Sequence, residues 1–216
     1  MSLSEFAAFM MERREQIVSL AGQHLVLVGI STLTAILIGV PLGVLISRRE
    51  GLARPVLGIA NVLQTIPSLA LFGFLIPLPF LGGIGARTAI VALVVYALLP
   101  ILRGTCTGLK SVPPAIVEAG TGMGMTPSQL LWQVELPLAL PVVMSGIRVA
   151  TVVSVGVATI AAAVGAGGLG TFIFRGVAMV DNRLILAGAI PAAAMALAAD
   201  FLLGLAERAL ASGGRS

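Results

Sequence analysis

Long neutral tracts, free of Asp, Glu, Lys and Arg, run from Gln16 to Ser47 (32 residues), Pro55 to Ala86 (32), Thr88 to Leu102 (15), Val149 to Phe174 (26) and Leu184 to Ala199 (16). A helix that crosses a bilayer needs about 20 mainly apolar residues, so these tracts supply roughly five spans. Composition points the same way. With 58% hydrophobic and 10% charged residues and a mean hydropathy of +1.08, the chain lies outside the soluble range, where domains carry about 25% charge. The expected fold is all-α and integral to a membrane, with spans at about 21–46, 55–77, 85–102, 140–163 and 184–206. The longest remaining stretch, Arg103 to about Pro141, is ~40 residues and half apolar, too short for a second domain. The expected organisation is a tail over about 1–20, one membrane domain over about 21–206 with a loop at about 103–140, and a tail over about 207–216.

Net charge is +4 and 12 of the 13 basic residues are Arg. Scattered at span ends, they read as topological anchors and not as a nucleic-acid surface. With the N-terminus outside, the cytoplasmic side receives eight (Arg48, Arg49, Arg54, Arg103, Lys110, Arg148, Arg208, Arg215) and the outside five (Arg13, Arg14, Arg87, Arg175, Arg183). The positive-inside rule therefore favours an outer N-terminus and a cytoplasmic C-terminus. A lone Cys106 and a lone His24 leave no disulfide within the chain and no metal cluster. Glu5, Glu12, Arg13, Arg14 and Glu15 precede a first tract too long for a signal-peptide core, so that tract is expected to stay as the first span.

Between the third and fourth spans the sequence carries helix punctuation. Ser111 is placed to cap a helix that starts at Pro113-Pro114 and runs to about Thr121, with Gly122 and Gly124 offering left-handed closing positions. Thr126, Pro127 and Gln129 then spell a capping box for a second helix, which Pro137 is expected to end. Ile116, Val117, Met123, Met125, Leu130, Leu131, Trp132 and Val134 are more apolar residues than a solvated loop needs, so the helix pair should dock against something.

Within it, Glu118-Ala119-Gly120, then Gly124, then Val134, Leu136 and Pro137 resemble the signature loop of binding-protein-dependent ABC importer permeases, with Gly120 in place of an Ala and Val134 in place of Ile. The resemblance extends from about Gln64 to Asp200. Gln64-Thr65-Ile66-Pro67-Ser68-Leu69-Ala70, Gly124-Met125-Thr126, Glu135-Leu136-Pro137-Leu138-Ala139-Leu140-Pro141, Gly146-Ile147-Arg148, Gly165-Ala166-Gly167-Gly168-Leu169-Gly170 and Gly188-Ala189-Ile190-Pro191 look like the osmoprotectant branch, which imports glycine betaine, choline, carnitine and related quaternary ammonium solutes. Arg103-Gly104-Thr105 departs from that pattern, which would put Asn in the middle, and leaves the solute within the branch open.

The resemblance implies a type I ABC importer permease, multi-pass in the cell (inner) membrane. Its loop is the coupling helix that enters a groove on a cytoplasmic ATPase, and Glu118, Ala119, Gly120, Gly124, Met125, Thr126, Val134, Leu136 and Pro137 are its coupling residues. It also implies partners: ATPase subunits that bind ATP and Mg, an extracytoplasmic solute-binding protein, a second permease copy or paralogue, and membrane lipid. The chain itself would be non-catalytic and hold no cofactor or metal. Gly104 to Ser111 lacks a phosphate-loop Gly-Lys pair, since Leu109 separates Gly108 from Lys110. The Gly165–Gly170 run matches a dinucleotide fingerprint in letters only; following a span, it reads as a glycine-rich break or tight turn near the outer face.

Polar residues in spans are costly unless they face protein or water. Asn61, Gln64, Thr65 and Ser68 have the spacing of one helical face beside Pro67, which frees a backbone carbonyl, and suit a translocation lining, a protomer interface or interhelical packing. Thr151 and Ser154 are further lining candidates, with Thr159 beside them. Arg148 and Asp200, near the inner ends of their spans, either pair or snorkel, with snorkelling favoured. His24 is expected at the outer interface. Two other function classes find less support: no acidic residue lies in mid-span for a secondary transporter's coupling ion, and no acid-base or nucleophile-base pair appears for an enzyme. A permease of the same architecture for an amino acid or derivative remains the alternative solute class. With one Trp and one Tyr, the chain cannot build the aromatic cage that grips a quaternary ammonium ion, so tight recognition is expected to lie in the separate binding protein.

Overall fold

The computed structural model describes residues 3–79 and 82–213, and among these it is predominantly helical, with no strand. The helices are α1 (Leu3–Glu12), α2 (Arg14–Arg48), α3 (Glu50–Thr65), α4 (Ser68–Leu75), α5 (Ala86–Lys110), α6 (Pro114–Gly122), α7 (Pro127–Leu130), α8 (Leu136–Ile160), α9 (Gly170–Met179) and α10 (Asn182–Gly213). A π turn (Leu131–Glu135) joins α7 to α8, and a 3-10 turn (Ala161–Val164) follows α8. Arg215, counted above among the cytoplasmic cations, lies outside the described residues.

Among the described residues, four helices are long and apolar enough to cross a membrane: Arg14–Arg48, Ala86–Lys110, Pro127–Val164 and Asn182–Leu210. The expected fifth, at about 55–77, is not one straight helix: Gly51–Thr65 and Ser68–Leu75 meet at 99°. Ile66 precedes a proline and is extended (φ −66°, ψ 126°), the conformation a following pyrrolidine ring imposes. The first span also begins earlier than expected, at Arg14, and α1 occupies about half of the anticipated tail. The last helix runs on to Gly213, well into the anticipated C-terminal tail.

Helix α5 is the central element, with α2 on one side and α8 on the other. Between helices in lipid no water is expelled from apolar surfaces, so association relies on close packing of small residues. The α2 seam shows this: a Cβ on Gly39 would lie 2.8 Å from Ile101 Cγ2, and one on Gly43 2.6 Å from Thr105 Cβ. At the α8 seam the neighbours are backbone atoms: a Cβ on Gly146 would lie 2.6 Å from the Pro100 carbonyl oxygen and one on Gly108 2.9 Å from that of Ala139. The main core gathers Leu27, Phe72, Leu93, Tyr96, Val155 and Val164 from five elements.

Candidate functional site

Three polar constructions stand out: the helix pair after α5, a cavity beside α5, and the glycine run after α8.

Beyond α5 the chain turns sharply. Ser111 does not cap α6 as expected; it terminates α5, its N–H donating to the Thr107 carbonyl (2.9 Å) and its hydroxyl to that of Gly108 (2.7 Å). Helix α6 begins on Pro114 without a side-chain cap and extends through Gly122. Of the two glycines proposed to close it, only Gly124 is left-handed (φ 83°); Gly122 is helical. The N–H groups of Met123, Gly124 and Met125 donate to the carbonyls of Ala119, Thr121 and Gly120, which satisfies the helix end. Gly120 is buried because the next helix lies on it: a Cβ there would be 2.7 Å from Leu130 Cδ1 and 3.2 Å from Met125 Sδ. That approach gives a physical reason for glycine where the resembled loop has alanine.

The capping box forms as expected, with Gln129 N–H donating to Thr126 Oγ1 (3.3 Å) and Thr126 N–H to Gln129 Oε1 (2.8 Å). Pro137 does not end this helix. It lies directly after the π turn, where the Leu136 N–H donates to the Leu131 carbonyl, and α7, the π turn and α8 form one continuous rod; the proline falls where the hydrogen-bond ladder already changes register. Leu136 packs on the α5–α8 core, and Val134 is half-buried beside it. Glu118 and Ala119 are exposed, and so are Ile116 (40%), Met123 (78%) and Trp132 (64%), an apolar surface with no cover among the described residues.

Glu135, in the sequence only the first residue of the Leu-Pro motif, has a structural partner. It is buried (5% exposed) and paired in two-pronged fashion with Arg48 at the end of α2; Arg48 Nη1 donates to Oε1 at 3.1 Å and Nη2 to Oε2. Arg48, read from sequence as an anchor, thus fastens the loop rod to the first span.

The second construction is an open cavity of about 410 Å³ along α3, α5 and α8, lined among others by Gln64, Arg103, Thr107, Ser145 and Val149, with Arg103 exposed at it. The candidate path residues divide around it. Gln64 lines it and reaches the Tyr96 carbonyl (3.5 Å), while Asn61 accepts a hydrogen bond from Arg103 Nη2 (2.8 Å). Thr65 and Thr151 turn their hydroxyls onto their own helices, to the carbonyls of Val62 (2.7 Å) and Ile147 (2.8 Å). Ser68 begins α4 beyond the bend, so the four span-two residues do not share one helical face. Ser154 is fully buried, with no hydrogen-bond partner among the described residues. At the bend the Tyr96 hydroxyl donates to the Ile66 carbonyl, which the break in the helix frees. The single tyrosine is thereby committed to the backbone.

Arg148 pairs with Asp200 and does not snorkel: Nε and Nη2 donate to Oδ1 and Oδ2 at 2.6 and 2.7 Å, and Nη1 lies 3.5 Å from Glu207. Gly204 makes room, since a Cβ there would lie 3.2 Å from the guanidinium carbon. The glycine run forms the anticipated tight turn, with Gly165, Gly167 and Gly168 all at positive φ. It closes on α2, where the Gly168 N–H donates to Gln23 Oε1 (3.1 Å). His24, expected at an interface, is completely buried, with Nε2 3.1 Å from the Val155 carbonyl and Nδ1 against Gly168.

The chain is similar to known proteins in sequence and in fold. Residues 35–212 match the family described as "Binding-protein-dependent transport system inner membrane component". The chain is 50% identical over 197 residues to the osmoprotectant import permease protein OsmW of Salmonella typhimurium, covering 90% of this chain and 92% of that one. It is 44% identical over 192 residues to the choline transport system permease protein OpuBB of Bacillus subtilis, covering 89% and 87%. Among solved structures, an inward-facing MetNI methionine ABC transporter superposes with a TM-score of 0.82 at 28% identity, covering 97% of this chain and 99% of that one.

Proposed function

This chain belongs to the family of binding-protein-dependent transport system inner membrane components, and from that premise we propose that it is the permease subunit of an ATP-driven importer of quaternary ammonium osmoprotectants. Glycine betaine, carnitine and choline are the solutes in view. The relatives support the solute class, and the loop geometry supports the energy coupling. The observation that carries the reading is the α6–α7 pair: closed by Gly124, capped by Thr126 and Gln129, fastened through Glu135 to Arg48, and presenting Ile116, Met123 and Trp132 outward. Such a unit is stiff enough to pass a displacement into the spans and apolar enough to need a partner, which we take to be a cytoplasmic ATPase that binds ATP and Mg. This chain contributes no catalytic residue. A second permease, the same or a paralogue, completes the pathway. A solute-binding protein docks on the opposite face, near the glycine turn, and the N-terminus lies outside with the C-terminus in the cytoplasm.

The test is uptake by liposomes carrying the permease, its ATPase and its binding protein. Glycine betaine or choline should accumulate only with ATP and not at all when the ATPase is omitted. Accumulation without the ATPase would refute the reading. A methionine-like amino acid is the second reading, supported by the MetNI likeness, and uptake of that class alone would select it.

A further inference from the structure

We propose that the cavity between α3, α5 and α8 is a solute subsite in which Arg103 receives a carboxylate, so that a zwitterionic solute is favoured over one that is only a cation. The proposal rests on the osmoprotectant reading for the identity of the solute, while the anion pairing rests on the geometry of the cavity.

Arg103 differs from three other arginines of the bundle in what holds it. Arg48 is closed by Glu135, Arg148 by Asp200 and Glu207, and Arg183 by Asp181. Arg103 is instead steadied by a neutral amide, the Asn61 side-chain oxygen at 2.8 Å, from a residue 42 positions away on α3. A guanidinium has five N–H donors, so one bond to an amide fixes its place while leaving its charge and most of its donors unused. The fork that remains matches a carboxylate in two-pronged geometry.

The rest of the lining fits the same solute. Gln64, Thr107 and Ser145 are neutral and polar, Leu99 and Val149 are apolar, and among the described residues no acidic one lines the cavity. A quaternary ammonium group has no N–H to satisfy and tolerates such walls, but a cation without a carboxylate meets only like charge, which is a means of discrimination. The floor is set by the approach of α8 to α5: a Cβ on Gly104 would lie 3.0 Å from Gly146 Cα and 3.1 Å from the Val142 carbonyl oxygen. Glycine at 104, the departure from the family pattern, therefore lets the helices approach directly behind Arg103 and leaves the space in front to the solute.

The test uses the complete importer in liposomes and two variants, Arg103→Gln and Arg103→Lys. Arg103→Gln should lower glycine betaine uptake about tenfold, the factor that corresponds to about 1.4 kcal/mol, and leave choline uptake unchanged or raised. Arg103→Lys should recover part of the loss, and stimulation of the ATPase by the binding protein should persist in both variants. An equal loss for both solutes, or no loss, overturns the proposal. So does a loss that follows the anionic-lipid content of the liposomes, which would make a lipid headgroup the anion. Should the wild type import neither solute, the osmoprotectant reading fails, and saturation-transfer NMR on the permease–ATPase complex with millimolar acetate still decides the pairing. An acetate signal present in the wild type and absent in Arg103→Gln upholds it; equal signals in both overturn it.

Discussion

The two ends of the bundle are closed by different chemistry. At the Lys110 end, the loop is held by a charged pair between Arg48 and Glu135 and by a capping box, and it turns apolar side chains outward. At the opposite end, the glycine turn is held by a neutral hydrogen bond, Gly168 to Gln23, and beside it α2 is tied to α8 by another, His24 to Val155. Neutral hydrogen bonds contribute about 0.5–1.5 kcal/mol each, and those to charged groups about 1.5–3. The loop end is thus built to keep its shape while touching something else, and the glycine end to shut on itself through bonds that open more easily.

The largest effect should come from breaking the charged closure. Arg48→Ala leaves Glu135 buried and unpaired, a loss on the order of 2 kcal/mol after allowance for the partial exposure of Arg48. The double variant with Glu135→Gln should regain much of it, and additive losses in thermal unfolding of the purified complex would dissolve the pair as a unit. Next is Gly124→Val. A β-branched residue at φ 83° costs roughly 1–2 kcal/mol, so uptake should fall while ATP hydrolysis and membrane insertion persist. Wild-type transport in this variant would remove the loop from the coupling path.

His24→Ala probes the other end and should cost about 1 kcal/mol of stability. Because that end only shuts on itself, hydrolysis and uptake should remain coupled; uncoupling as severe as that of Gly124→Val would erase the contrast between the ends. The smallest effects lie between them. In a Cys106→Ala background, single cysteines at Asn61 and Thr65, both exposed, should react with a small water-soluble thiol reagent faster than cysteines at Gln64 or Ser68. Nucleotide should change the rates, and uniform protection would assign the region to packing.

The features legible in the sequence are the ones written locally. The Thr126–Gln129 box, the left-handed Gly124 and the glycine turn each depend on residues within a few positions of one another, and each forms. What the sequence hides are pairings across long separations, Arg48 with Glu135 and His24 with Val155, and it leaves Arg148 with Asp200 as one of two readings. A charge near a span end looks the same whether it faces water or a partner helix. Pro67 makes the point for backbone. Pro41, Pro55, Pro100, Pro141 and Pro191 all lie inside helices that continue past them. At Pro67 the chain instead turns by 99°, and there a hydroxyl from another helix, Tyr96, donates to the freed Ile66 carbonyl. Local sequence cannot announce a partner that arrives from 30 residues away.

The continuous helix from Pro127 to Val164 is about 57 Å long at 1.5 Å per residue. Its tightest approach to α5, at Gly146 against the Pro100 carbonyl oxygen, falls 19 residues from one end and 18 from the other. A beam pivoted at its midpoint returns a stroke at one tip as an equal and opposite stroke at the other. A sideways movement at Trp132 would therefore reappear, reversed, toward Gly165 and Gly168, where the turn is tied to α2 by the neutral bond from Gly168 to Gln23.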